Sequence, residues 1–166
     1  MRYDICSLYD GQFEKLVIGI CQKTLGIRVQ HFSTGPDGGR DARFEGQSIE
    51  FNATGKFIIQ AKHTTNPIAK YSDNEFSCNE SSAINSEIPR IKKLYDTQQL
   101  DYYILFSNRK LSGEAENTVR EKISFNTGMP SNRIHCIGIE MIDDYLKKFP
   151  EIPEQYGVDF FFSTLF

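Results

Sequence analysis

The run Lys56-Phe57-Ile58-Ile59-Gln60-Ala61-Lys62 constrains this chain more than any other segment. Aromatic and β-branched residues favour extended backbone, so it is expected to be a strand, apolar enough to lie in the middle of a sheet. Alternation puts Ile58, Gln60 and Lys62 on one face and Phe57, Ile59 and Ala61 on the other. An unpaired ammonium is costly to bury, so Lys62 is expected either at the strand end in solvent or opposite anionic groups. Asp41 and Glu14 are the nearest plausible anions.

The remaining elements follow from periodicity. Phe13, Leu16, Val17, Ile20, Cys21 and Thr24 recur at helical spacing, which predicts a helix over 11–25 with Asp10 capping its start and Gly26 its end. A strand is expected over Ile27 to Phe32, a sharp break from Ser33 to Gly39, a short strand from Asp41 to Phe44, and a hairpin or looped excursion from Glu45 to Gly55. Residues 63–81 are polar and too long for a plain connection in a compact domain. A helix over 86–95 is expected with Ser86 as its cap and Pro89 in its first turn. A strand over 102–106, a helix over 113–125, a strand over 134–139 and a helix over 140–149 complete the order. Helix, three strands, helix, strand, helix, strand, helix fits one α/β domain over 1–150, a mixed sheet flanked by helices. Residues 151–166 read as a C-terminal tail; its apolar end, Val158 to Phe166, either docks as a last strand or begins a linker to a further region.

Composition narrows the function. With 13 Phe, 8 Tyr and 39% hydrophobic residues in 166, the chain suits one folded domain. No apolar run approaches the roughly 18 residues that span a bilayer, and the first residues lack a signal peptide's apolar core, so a cytoplasmic protein without membrane attachment is expected. Cys6, Cys21, Cys78 and Cys136 show neither CxxC nor zinc-ligand spacing, and are expected as reduced thiols. A net charge of −3 does not announce a nucleic-acid binder, so any such contact must rest on local patches. The candidates are Arg90, Lys92 and Lys93, then Arg109 and Lys110, each of which also reads as ordinary solvated surface.

The chemistry gathers around three positions. Gly38 and Gly39 permit a tight turn and close backbone approach just before Asp41. Mg²⁺ commonly takes one or two protein carboxylates, and Asp41 offers one. The amide oxygen of Gln60 or the carbonyl of Ala61 offers a neutral second ligand, and Lys62 is placed to orient a water or stabilise transition-state charge. His63 alternates to the face opposite Lys62, which favours a structural role. The glycine turn lacks both the terminal Gly-Lys-Ser/Thr and the GxGxxG spacing of phosphate loops.

Gly35-Pro36-Asp37-Gly38-Gly39-Arg40-Asp41 followed by Ile58-Ile59-Gln60-Ala61-Lys62 resembles the PD-(D/E)xK nuclease superfamily, and within it the Mrr-like restriction endonucleases that carry Gln in place of Glu. The resemblance runs from about residue 8 to 149 and includes the first helix with Phe13-Glu14. It implies a restriction-endonuclease-like fold and Mg²⁺-dependent phosphodiester hydrolysis, with Mn²⁺ as a substitute. Residue by residue, it implies that Asp41 and Gln60 hold metal, that Lys62 is catalytic, and that Glu14 is the first-helix acid that sometimes joins the site. Asp37 imitates the literal Pro-Asp of the motif, but in Mrr-like sequences the Asp after the glycine pair carries the ligand role, which favours Asp41. The substrate implied is DNA, double-stranded in the leading reading, and the setting an effector module of a bacterial anti-phage defence or restriction system. Weak bulk charge adds the expectation of a homo-oligomer or a larger multidomain protein. Two readings stand against it: a catalytically silent nucleic-acid-binding or oligomerisation module on the same fold, which Gln60 and the acidic balance permit, and cleavage of RNA.

Overall fold

The computed structural model describes residues 2–36, 39–63 and 84–161. Among the described residues the elements are, in order, β1 Arg2–Tyr3, α1 Asp10–Thr24, β2 Gln30–Thr34, β3 Arg40–Ser48, β4 Ala53–Lys62, α2 Ile88–Asp96, β5 Tyr102–Ser107, α3 Gly113–Thr127, a 3₁₀ turn Ser131–Arg133, β6 Ile134–Ile137, α4 Ile139–Lys148, α5 Glu151–Tyr156 and β7 Phe160–Phe161. Five strands form one sheet in the order β2-β3-β4-β5-β6. The β2–β3 and β3–β4 pairs are antiparallel, whereas β4–β5 and β5–β6 are parallel. The Lys56–Lys62 run therefore does occupy the central strand, with helices over both faces.

Alternation along β4 divides the core in two. Phe57 and Ile59 meet Phe13, Leu16, Val17 and Ile20 of α1, together with Ile104 and Phe106 of β5. Ile58 faces the other way, onto Ile91 and Leu94 of α2 and Val119 and Ile123 of α3. Full burial of such a side chain contributes roughly 1.5–3 kcal/mol, so both faces hold β4 in register. A slip of one residue would exchange the two sets and bury Lys62 against α1.

The differences from the sequence reading have local causes. Tyr9 rather than Asp10 precedes α1, and its N–H is accepted by Gln12 Oε1 at 3.1 Å, so Gln12 closes the helix start that Asp10 was expected to cap. Residues 27–29 turn instead of pairing, with Val29 N–H bound to Gly26 O at 3.2 Å and Ile27 77% exposed, so β2 begins at Gln30 and runs on to Thr34. The excursion after Phe44 is a hairpin with a much shorter loop, because β3 and β4 stay paired out to Ser48 and Ala53. Asn52, at φ 46°, turns the chain there, a left-handed conformation that asparagine tolerates. Glu87, not Ser86, sits at the cap position of α2, one residue later than expected.

Residues 151–161 pack back onto the domain. Ile152 and Val158 join the α1 side of the core, and β7 pairs antiparallel with β1. The polar stretch from His63 onward lies outside the described residues from position 64 to 83, as do Asp37, Gly38 and Cys78. Among the described residues, no helix is long and apolar enough to cross a membrane.

Because Ile59 is fully buried, truncation to alanine should leave a cavity and cost about 3 kcal/mol. The same change at Ile49, 91% exposed, should stay within about 0.5 kcal/mol. Urea unfolding followed by circular dichroism measures both.

Candidate active site

Asp41 enters the site from β3. Ala42 is the register partner of Ile59, so one step back along the antiparallel pair sets Asp41 against Gln60 on the face covered by α2. Both are almost fully buried, at 6% and 2% exposure. The Gln60 amide nitrogen lies 3.3 Å from Asp41 Oδ1 and 2.8 Å from Glu87 Oε2, and donates to both. Its amide oxygen accepts from the Tyr103 hydroxyl on β5. Burial, then the nearby charge of Glu87, raises the Tyr103 phenol well above its ordinary range, so it stays a donor and fixes the amide with its nitrogen towards the carboxylates. Gln60 therefore holds the two acids as a donor, and the amide oxygen considered from sequence as a neutral ligand is turned to Tyr103.

Lys62 lies two residues on and shares this face. Its Nζ is 2.5 Å from Glu87 Oε1. Sequence reading named Asp41 and Glu14 as its anionic partners; the structure supplies Glu87 instead. Glu87 reaches the sheet because it stands at the start of α2, where a negative charge also complements the exposed N–H groups. The one signal for it in the sequence was an acid just ahead of a proline-initiated helix, and placing the cap at Ser86 hid it.

Arg90, one turn along α2, completes the group. Its guanidinium binds Asp41 Oδ2 and lies 2.9 Å from Glu87 Oε2. Arg90 had been a candidate for a surface patch, yet its side chain is only 10% exposed. Gly39 makes room for it, since a Cβ at that position would collide with the guanidinium. This is the close approach anticipated for the glycine turn. Two acids and two bases thus neutralise one another in a largely buried cluster, the arrangement that buried charges require. Burial raises the Asp41 carboxyl above its ordinary range, while Arg90 and then Arg43, 4.0 Å away, pull it back down.

Glu14 lies on the other side of the sheet. It pairs in bidentate fashion with Arg40, at 2.7 and 2.8 Å, and both residues stand on the α1 face. Glu14 and Lys62 nevertheless line the same cavity of about 240 Å³ at the end of β4, together with Asp10 and His63. His63 is buried against Phe13, its ring centroid 5.0 Å from that ring, and its Nδ1 lies 3.1 Å from Asp10 Oδ1. It occupies the face opposite Lys62, as alternation indicated.

Among the described residues, no group of three or more His, Cys, Asp or Glu is disposed to hold a metal ion. What converges is a pair of carboxylates, Asp41 and Glu87, on one amide nitrogen. Two hard oxygen donors fit Mg²⁺, which usually keeps its remaining positions for water and substrate phosphate. Arg90 now supplies the positive charge between them.

A five-stranded mixed sheet flanked by helices, with an Asp on one strand set against Gln-x-Lys on the next, defines an α/β protein of the restriction-endonuclease-like class. A family model described as a restriction endonuclease, that of the Mrr catalytic domain, matches residues 7–128. The chain belongs to that family, and its fold is restriction-endonuclease-like. It is also 26% identical over 152 residues to a protein of Sinorhizobium fredii (strain NBRC 101917 / NGR234) named "Uncharacterized protein y4cD". That match covers 92% of this chain but 20% of the relative, so the chain spans about a fifth of that protein's length. No solved structure matches the chain significantly.

Replacing Arg90 with methionine takes away the guanidinium that binds the buried Asp41 carboxylate and leaves Glu87 with Lys62, and should cost about 3 kcal/mol at neutral pH. The sign of the pH dependence follows from Asp41. A carboxyl whose folded pKa is raised above its unfolded value binds its proton more tightly when folded, so stability is gained on acidification and lost as pH rises through that range. The deficit of Arg90→Met should therefore shrink towards about pH 4. Denaturant titrations of both proteins at pH 7 and near pH 4 test this.

Proposed function

We propose that this domain hydrolyses DNA phosphodiester bonds, double-stranded DNA being the leading substrate, with Mg²⁺ or Mn²⁺ held by Asp41 and Glu87. The observation that carries the reading is the single network joining Asp41, Gln60, Lys62 and Glu87 on one face of β3 and β4. When bound, the cation polarises a phosphate and lowers the pKa of a water. The remaining tasks fall to the chain. Asp41 and Glu87 supply charge for the cation, and Gln60, locked by Tyr103, keeps the two carboxylates converged. With Glu87 holding such a cation, Lys62 would be left to place its ammonium beside the phosphoryl oxygens, where negative charge develops. Arg90 is similarly freed to meet a phosphate, for which a planar guanidinium is well matched. Glu14 is a further acid at the edge of the site, reaching it through the cavity shared with Lys62 once its hold on Arg40 is exchanged.

A bacterial defence or restriction setting agrees with the family, and action within a longer protein or a homo-oligomer agrees with the chain's short coverage of its relative. A net charge of −3 agrees with a partner or further region that adds affinity for DNA. The observation favouring a silent binding module is Arg90, which already bridges the two carboxylates a metal would need.

Supercoiled plasmid incubated with the protein in Mg²⁺, in Mn²⁺ or in EDTA separates the two readings. Cleavage should require the metal, and Lys62→Ala and Asp41→Ala should each reduce it about 100-fold or more. Equal cleavage by both variants would remove this site, whereas DNA binding with no cleavage in either metal would establish the silent module.

A further inference from the structure

Two cavities on the α2 face of the sheet, of about 490 and 560 Å³, share Arg43 and the glutamines Gln30 and Gln99, and so form one continuous groove. One end is lined by Asp41 and Lys93, the other by Arg28 and Lys56. The groove thus runs from the candidate active site along the β2–β3 edge.

Its charge is opposite to that of the chain as a whole. Arg28, Arg43, Lys56 and Lys93 line it, against a single carboxylate, Glu45, apart from Asp41. Several cations elsewhere are matched locally: Lys23 with Glu151 at 2.8 Å, Lys92 with Asp96 at 2.8 Å and Lys147 with Asp143 at 2.7 Å. In the groove, among the described residues, neither Arg28 nor Lys93 has a carboxylate partner. Lys56 Nζ binds only the Gln98 carbonyl, at 3.1 Å, and Arg43 reaches no closer than 4.0 Å to Asp41. The triplet and pair noticed in the sequence do not make such a surface. Arg90 is consumed by the site, Lys92 is paired, Arg109 is buried and Lys110 lies 3.7 Å from Glu140, so only Lys93 is left to serve the groove.

An open channel with spare guanidinium and ammonium groups, lying within a net-acidic protein and ending at Asp41, suits a regularly spaced polyanion that must be guided to one point. We propose that this groove holds the phosphate backbone of DNA, with Arg28, Lys56, Arg43 and Lys93 as successive phosphate contacts leading to Asp41. The assignment rests on the nuclease reading for its direction, but the contact itself is measurable without cleavage. Such contacts carry no base information, so they set affinity and register rather than sequence preference.

The test is fluorescence anisotropy of a labelled duplex titrated with the 166-residue chain in EDTA, where no strand is cut, across a series of salt concentrations. Arg28→Glu combined with Lys93→Glu should weaken binding at least tenfold on duplexes of unrelated sequence, and should reduce the slope of log K against log salt by about 2. Lys110→Glu combined with Lys122→Glu changes net charge equally and should leave the slope as it is. Both groove positions are exposed, so thermal unfolding should be unaltered and a binding loss is not a folding loss. An unchanged slope in the groove variant, an equal fall in the charge-matched control, or no binding by the unaltered chain would each overturn the proposal. If the slope falls but the plasmid assay shows no metal-dependent cutting, the groove stands and catalysis fails. If the plasmid is cut and the slope does not move, catalysis stands and the groove fails.

Discussion

The rest of the domain is arranged around one electrostatic requirement: Asp41, largely out of water, must face a positive charge. Arg90 meets it, Glu87 balances Arg90, and Lys62 balances Glu87. Each link removes a cost that the previous one would otherwise impose, because an unpaired ion in a low-dielectric interior costs several kcal/mol. The neutral members are bound by the same logic. Gln60 has two carboxylates on its nitrogen and a phenol on its oxygen, which leaves its amide one way to point. A chain of dependence of this kind is difficult to alter at one place, and it explains why a glutamine serves where the related motif writes a glutamate. A third carboxylate beside Asp41 and Glu87 would need its own counter-charge, whereas an amide binds both and adds none.

This network spans two layers of the fold, the sheet and α2. Asp41, Gln60, Lys62 and Tyr103 ride on adjacent strands whose register is secured by apolar packing on both faces, while Glu87 and Arg90 arrive on a helix. Rigid strands place the first set; the docking of Ile91 and Leu94 places the second.

Much of the fold was legible because it depends on short-range patterns. The central strand was visible from Lys56 to Lys62, since period-two alternation and β-branched residues are local properties, and the mixed sheet with flanking helices followed from the order of elements. Strand ends were less legible. The β3–β4 ladder runs to Ser48 and Ala53 because pairing between neighbours sustains residues, such as Gly46 and Gln47, with little strand preference of their own. The site divided in the same way. Asp41, Gln60 and Lys62 lie on strands whose face could be read by counting. Glu87 and Arg90 could not, because their part depends on where a helix docks, a long-range property, and because a one-residue change in its cap turns a surface acid into a buried one. For Glu14, an acid on the first helix was visible, but its partnership with Arg40 of β3 on the α1 face was not.

Glu87 and Arg90 are three residues apart on α2 and bind each other, so the helix carries a self-neutralised pair. Asp41 and Lys62 stay with the sheet and likewise sum to zero. Lifting α2 from the sheet therefore leaves a balanced pair on each side but breaks the two ion pairs that cross between them, Arg90 with Asp41 and Glu87 with Lys62. The cost of such a motion is the sum of those two ion pairs and the apolar contacts of Ile91 and Leu94 with Ile58. Access to the acids is thus governed by oil and salt together, and an entering ion can repay only the second.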